Sequence, residues 1–298
     1  MKSIGVKSGI SGRMFDISNI LLMVILSISI IYPFWHILVM SFSSGAYSDK
    51  MGLKLFPDVF TLQAYAFVIA NKSVLIAYRN TVLRTIIGTT ATTFFTLCGA
   101  YVLSKKDLPL RTFFTTILFI TMYFSGGLIP SYLLIRSLNL YDKFLVYIIP
   151  GMLSAYTIFI ARNFIMSLPD SLEESACIDG ANELLILLKI ILPLSLPIIA
   201  TVALWSAVSH WNSWFDALVY TKSNNLIVLQ LYTKRMMDAM TEGYSSQFFK
   251  QSALQTVFIS KNNVNAATII VTIGPIVIAY PFAQKYLIKG IMIGSIKG

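Results

Sequence analysis

Long apolar segments alternate with shorter polar stretches along this chain of 298 residues. A bilayer core about 30 Å thick requires roughly 20 apolar helical residues to cross it. Six segments meet that length, so the pattern predicts six transmembrane helices. They cover residues 17–42, 80–103, 112–135, 144–164, 194–215 and 266–287. The first is too long for the apolar part of a signal peptide and is not followed by a small-residue cleavage site.

Two longer segments between these spans, residues 43–79 and 217–265, mix apolar and polar positions. We expect each to form short helices against the membrane surface. The composition supports the membrane assignment, because 56% of the residues are hydrophobic and only 12% are charged, against about 25% charged in a soluble domain. The mean hydropathy of +0.73 agrees. A soluble globule and a disordered chain are both excluded.

The basic residues mark the expected orientation. Lysine and arginine accumulate in the N-terminal tail, in the turn between the second and third spans, and in the C-terminal tail. Cytoplasmic flanks carry such an excess, so both termini are predicted to be cytoplasmic. The net charge of +10 is therefore spread over span flanks, which argues against a nucleic-acid partner. Two cysteines and two histidines are too few for a disulfide framework or a metal site.

Residues 167–193, between the fourth and fifth spans, form an acidic exception on the same side. A capping box that starts a short helix can form in either of two registers. Ser171 pairs with Glu174 in the first, and Asp170 pairs with Glu173 in the second. Asp179 and Gly180 then signal a turn, with glycine supplying a positive φ, and a second helix is predicted to begin near Asn182. This segment is either a rigid knob for a protein partner or an ordinary helical hairpin.

The same segment resembles the signature loop of the permease subunits of bacterial ABC importers. That pattern is Glu-Ala-Ala, three residues, Gly, nine residues, Ile, one residue and Leu-Pro. It is matched here by the run from Glu174 to Ala176, then Gly180, Ile190 and the pair at 192–193, with Ser175 in place of the first Ala. Residues 126–133 and 210–216 resemble a subgroup that takes up aldouronates or complex polysaccharides.

The resemblance implies an all-α integral membrane protein with the six transmembrane helices of the type I importer permease fold. Its parts would be an N-terminal tail (1–16), a six-span domain (17–288) with a coupling helix inside the loop 167–193, and a C-terminal tail (289–298). It further implies a multi-pass protein of the bacterial cell membrane that takes up oligosaccharides, possibly acidic ones, by alternating access. The implied partners are a second homologous permease, two ATPase subunits, an extracytoplasmic binding protein and the surrounding lipid.

The energy source follows from what the spans lack. Ion-coupled transporters place ionisable residues within their spans, whereas Arg84, Arg162 and Asp216 lie near span ends, where we expect them to snorkel to the interface. The chain has no phosphate-binding loop, so ATP and Mg²⁺ would be bound by separate ATPase subunits and no cofactor by this chain. Metalloprotease and serine-hydrolase motifs are also absent, so the chain is not predicted to be an enzyme.

Two groups of candidate residues result. We call residues 167–193 the inner loop. The resemblance places the ATPase contact on small and acidic side chains of this loop: Glu173, Glu174, Ala176, Asp179, Gly180 and Ala181. Aromatic, amide and imidazole groups suit a sugar, which suggests a substrate pathway at Tyr123, Trp205, His210, Trp211, Asn212 and Trp214. The alternative for this second group is an interfacial aromatic belt. The alternative function is a membrane scaffold or sensor that uses the same loop to bind a regulatory partner.

Overall fold

A computed structural model describes the backbone of residues 10–241 and 259–295 and, within these, the side chains of residues 12–238, 259–278 and 281. The described residues form helices joined by turns and contain no strand. The helices are α1 (Ile10–Phe42), α2 (Gly45–Ser48), α3 (Gln63–Ala70), α4 (Lys72–Ser104), α5 (Arg111–Tyr123), α6 (Leu128–Ser137), α7 (Ala155–Ile165), α8 (Ser171–Ile178), α9 (Glu183–Ile186), α10 (Leu192–Leu194), α11 (Leu196–Asn212), α12 (Phe215–Tyr220), α13 (Leu229–Thr241) and α14 (Lys261–Ser295).

The chain divides into two units, which we describe separately. The first unit comprises residues 1–70 and 239–271. Its α1 is long and apolar enough to cross a membrane, and none of the residues in its apolar window is buried. Within the same unit, the buried Asn263 donates from Nδ2 to the carbonyl oxygen of Ser43 at 3.2 Å. This hydrogen bond ties the start of α14 to the end of α1.

The second unit comprises residues 71–238 and 272–298. Its centre is α4, which begins at the N-cap Asn71, whose Oδ1 accepts from the amide of Ser73 at 2.9 Å. α4 and α11 approach so closely that a Cβ on Gly88 would lie 2.4 Å from Nε2 of His210. Toward the inner loop, small and aliphatic side chains of α4, α7 and α11 form an apolar core with the segment 186–191.

The predicted third span is not one straight helix. α5 and α6 meet at an angle of 118°, and the break falls at Ser125, Gly126 and Gly127. Gly127 has a φ of +83°, a conformation that residues other than glycine rarely adopt. Apolar residues continue on both sides of the break, which is why the sequence pattern predicts a single span.

The predicted fourth span is also interrupted. A 3₁₀ turn at Phe144–Tyr147 precedes α7, which has only 11 residues. Pro150 and Gly151 lie between them, and neither favours a continuing helix. Of the described residues, two single helices are long and apolar enough to span a membrane, or up to four spans if each bent pair counts as one. The described residues therefore do not establish the count of six.

The remaining predicted boundaries differ in smaller ways. The second span extends to Lys72–Ser104, and α11 begins two residues after the predicted start of the fifth span. The predicted sixth span lies within the bounds of α14, where side chains are described only up to residue 278 and at residue 281. Short helices are present in the segments 43–79 and 217–265, as predicted. Residues 242–258 of the second segment lie outside the described residues, as do most of the N-terminal tail and residues 296–298.

Candidate functional site

The inner loop contains the short helix that the sequence predicts. α8 runs over Ser171–Ile178, and Gly180 has the expected positive φ of +80°. The next helix begins at the N-cap Asn182, whose Oδ1 accepts from the amide of Leu185 at 2.9 Å. The predicted capping box does not form, because the N-cap Asp170 makes no side-chain cap hydrogen bond. Its carboxylate lies instead 2.5 Å from Nζ of Lys106.

Lys105 links the inner loop to the end of α4. Its Nζ lies 2.5 Å from Oε2 of Glu173 and 2.9 Å from Oε2 of Glu183. The hydroxyl of Tyr101 donates to the same oxygen of Glu183 at 2.5 Å. Burial opposes the charge of Lys105, but its hydrogen bonds with Glu173, Tyr101 and Glu183 outweigh that effect and raise the pKa of the ammonium group. We call these four residues the Lys105 clamp.

The six residues proposed for the ATPase contact do not share one face. Ala176 is only 8% exposed and belongs to the chain's own apolar core, so it packs inward. Ala181 also packs against that core, and its amide donates to the carbonyl oxygen of Ala176 at 2.9 Å. Glu173 is held by Lys105. The exposed members are Glu174, Asp179 and Gly180.

Two exposed apolar side chains that the sequence pattern did not indicate lie beside these residues. Ile178 at the end of α8 is 87% exposed, and Leu184 is 64% exposed. Ile178 precedes the turn at Gly180 and Leu184 follows it. A Cβ on Gly180 would have no atom within 4 Å. An open turn flanked by exposed aliphatic side chains is a surface that a partner protein can cover.

The second unit also contains a cavity of about 580 Å³. One wall is aromatic, with Tyr156 and Trp205 stacked at a centroid distance of 6.3 Å. Hydroxyl groups line much of the remainder: Thr92, Ser154, Thr157, Ser206, Ser209 and Ser213. The hydroxyls of Thr92 and Ser206 are buried without a hydrogen-bond partner in the described structure. Such a lining suits a ligand that presents both hydroxyls and apolar C–H faces.

The charged residues Arg84 and Asp216 lie against this cavity and pair with each other. Nη2 of Arg84 lies 2.5 Å from Oδ2 of Asp216, and the guanidinium carbon lies 4.5 Å from the ring centroid of Tyr147. Arg84 is only 1% exposed, so the prediction that it snorkels to the interface is wrong. A charge so deeply buried is tolerated because it is paired and hydrogen-bonded.

The cavity brings together only two of the six predicted substrate residues, Trp205 and His210. Trp211 is buried and donates from Nε1 to the carbonyl oxygen of Thr272 at 3.2 Å. The other three lie elsewhere. Asn212 donates to the carbonyl oxygen of Val208, the ring of Trp214 lies under the ammonium group of Lys234, and Tyr123 is an exposed residue of α5.

Three lining residues of the cavity were not predicted from the sequence, namely Tyr147, Tyr156 and Thr92. Tyr147 and Tyr156 lie in the interrupted fourth span, and the threonines of α4 recur at helical spacing but without any motif. A run of threonines at positions 85, 89, 92, 93 and 96 is the one signal that could have indicated a polar helix face. No group of three metal-ligating side chains occurs among the described residues.

Comparison with known proteins gives consistent matches over nearly the whole chain, although no protein-family model matches it. The chain is 35% identical to protein LplC of Bacillus subtilis (strain 168) over 288 residues, covering 97% of this chain and 96% of LplC. It is 33% identical to the polygalacturonan/rhamnogalacturonan transport system permease protein YtcP of the same organism over 286 residues, covering 96% and 99%.

A solved structure is equally similar. It is that of a bacterial ABC transporter involved in the import of the acidic polysaccharide alginate. One of its chains superimposes with a TM-score of 0.88 at 35% sequence identity, covering 94% of this chain and 98% of that chain.

Proposed function

The chain belongs to the family of permease subunits of ABC transporters, and from this premise we propose that it conducts oligosaccharides derived from polysaccharides, acidic ones included. It is a transport component rather than an enzyme. The proposal draws on the names of its relatives, which include a polygalacturonan/rhamnogalacturonan permease and an alginate importer. The observation that carries it is the hydroxyl-lined, aromatic-walled cavity of the second unit.

The cavity suits a sugar for physical reasons. The stacked rings of Tyr156 and Trp205 offer flat apolar surfaces to the C–H faces of a pyranose. The lining hydroxyls of the half-buried Ser154 and the exposed Ser209 can donate to and accept from sugar hydroxyls. A volume of about 580 Å³ falls within the usual range of about 300–1,000 Å³ for small-molecule sites.

The work of transport would come from ATP hydrolysed by two partner ATPase subunits, which bind ATP and Mg²⁺. These subunits would contact the inner loop at its exposed residues, namely Glu174, Asp179 and Gly180 together with Ile178 and Leu184. Movement of α8 would then pass to α4 through the Lys105 clamp. The spans would rock as rigid bodies between inward-open and outward-open states.

The remaining parts of the assembly complete the proposal. A second, homologous permease would form the other half of the pathway, and an extracytoplasmic binding protein would deliver the substrate. Both termini would lie in the cytoplasm of a bacterial cell, with the inner loop on the same side. In this arrangement the cavity belongs to a path that the partner permease also lines.

The test is reconstitution of the chain in liposomes with its partner permease, ATPases and binding protein. We expect neutral or acidic oligosaccharides to stimulate ATP hydrolysis and to accumulate inside the vesicles. Stimulation only by solutes of another class would refute the carbohydrate assignment. Purification of the chain without stoichiometric ATPase would instead favour the scaffold or sensor function.

A further inference from the structure

Arg136 lies at the end of α6 against a group of tyrosines. Its guanidinium carbon is 5.4 Å from the ring centroid of Tyr141 and 5.9 Å from that of Tyr132. Tyr132 meets Tyr141 edge-on at 5.8 Å and stacks on Tyr220 at 6.3 Å, with 22° between the ring planes. We call these four residues the Arg136 cluster. Arg136 is exposed and the three rings are half-buried.

The carboxylate nearest in sequence, Asp142, is engaged elsewhere. Its Oδ1 accepts from the backbone amides of Ser223 at 2.8 Å and Lys222 at 2.9 Å, and these hydrogen bonds lower the pKa of Asp142. Its own amide donates to the carbonyl oxygen of Tyr220 at 2.9 Å. Asp142 therefore fixes the position of Tyr220 relative to the end of α6. Arg136 forms no ion pair with any carboxylate of the described residues.

The cluster is continuous with the cavity, because Tyr220 belongs to both. Arg84 and Asp216, which also line the cavity, form an ion pair with each other. A substrate carboxylate would therefore find no unpaired permanent cation among the described lining residues. Arg136 is connected to the lining residue Tyr220 through the ring of Tyr132, and it has no anionic partner among the described residues.

We infer that the Arg136 cluster is an entry subsite that binds a carboxylate-bearing sugar residue of an acidic oligosaccharide. The guanidinium would pair with the carboxylate through two parallel hydrogen bonds, and the tyrosine faces would pack against the C–H groups of the same sugar ring. The inference rests on the proposed function, because it gives that pathway a preference for acidic substrates.

The experiment compares uptake of an oligogalacturonate with uptake of its fully methyl-esterified form by the reconstituted complex. The binding protein is the same in every sample, so its own preference cancels when each variant is compared with the wild type. The variant is Arg136→Gln. The control is Lys143→Gln, which removes a second exposed positive charge that makes no described ring contact.

We expect Arg136→Gln to lower the ratio of acidic to esterified uptake by about fivefold, since a charge-assisted bidentate pair is strong but partly screened at an exposed site. Lys143→Gln should leave the ratio within about twofold, as a merely rim-exposed charge would. Arg136→Lys keeps the charge but loses the planar guanidinium, so its ratio of acidic to esterified uptake should lie between those of Arg136→Gln and the wild type.

An unchanged ratio in Arg136→Gln would overturn the subsite. An equal fall in uptake of both substrates would also overturn it, because it would indicate a general defect in assembly or in docking of the binding protein. Failure of the wild-type complex to transport any oligosaccharide would refute the proposed function itself, which separates the two conclusions.

Discussion

Replacing Lys105 by methionine tests whether the inner loop is mechanically joined to α4. The substitution keeps most of the aliphatic stem, which can still pack, and removes the cation shared by Glu173 and Glu183. Lys105 is 20% exposed and Glu173 is 27% exposed, whereas Glu183 is 66% exposed. A hydrogen bond to a charged group contributes about 1.5–3 kcal/mol. Solvent screens the bond to the exposed Glu183, so the bond to Glu173 supplies most of the total, which we take as about 2 kcal/mol.

The matched control is Lys106→Met. It removes an ion pair of the same length, 2.5 Å, between the same two segments, but its side chains are 72% and 68% exposed. Solvent screens an exposed pair of this kind, so its loss should change the stability of the loop far less. The comparison therefore separates the effect of a partly buried clamp from the effect of losing one positive charge.

Hydrogen exchange of the backbone amides of residues 171–178 in the reconstituted complex measures the local change. A loss of about 2 kcal/mol corresponds to about 30-fold faster exchange, against less than about fivefold for Lys106→Met. The number of ATP molecules hydrolysed per sugar transported should rise in Lys105→Met, because α8 would move without α4. Lys105→Arg, which keeps the charge, should restore much of the coupling.

The pH dependence of the clamp follows from the direction in which the pKa of Lys105 is shifted. The pKa of Lys105 is raised above its usual 10.5, so its contribution to stability is fully present below about pH 10 and is lost only as the pH rises further. The coupling ratio of the wild type should therefore not vary between about pH 6 and pH 8 through this group. Wild-type exchange rates in Lys105→Met would refute the clamp, as would equal losses in both methionine variants.

Two further comparisons test the packing and the cavity. Gly88→Ala should lower the free energy of unfolding of the purified protein by about 1–3 kcal/mol through overpacking, and with it the melting temperature. The reason is that the new Cβ would lie 2.4 Å from the His210 ring. Gly99→Ala should be neutral or stabilising, since its Cβ would lie 3.6 Å from the nearest atom; equal melting temperatures would contradict the close contact. Trp205→Ala should reduce sugar uptake by about two- to tenfold through loss of an aromatic face, whereas Trp214→Ala, outside the cavity, should not, and the reverse order would exclude this cavity from the pathway.

Local features of the inner loop could be predicted from the sequence because their causes are local. Gly180 adopts a positive φ of +80° at a position where a turn demands it, and Asn182 caps the helix that follows it. The capping box was the exception. Asp170 has a better partner in Lys106, 64 residues earlier in the chain, and no local pattern could reveal that competition.

Contacts between distant segments could not be predicted in this way. Arg84 and Asp216 are 132 residues apart, and each alone has the character of a residue near a span end. Their pairing makes both compatible with burial, which the position along a span does not indicate. The same limit applies to Trp205 and Trp211, because a uniformly apolar helix does not indicate which side faces a cavity and which faces a neighbouring helix.

The acidic character of the inner loop changes meaning once its partners are known. Of its five carboxylates, those of Asp170, Glu173 and Glu183 pair with lysines of the preceding inner turn, and only Glu174 and Asp179 make no salt bridge within the described residues. Most of the negative charge therefore fastens the loop to its own subunit. What remains for an ATPase is a weakly charged surface in which the exposed Ile178 supplies apolar area. Burial of that area, which is insensitive to salt, would then contribute more to docking than charge attraction, which salt screens.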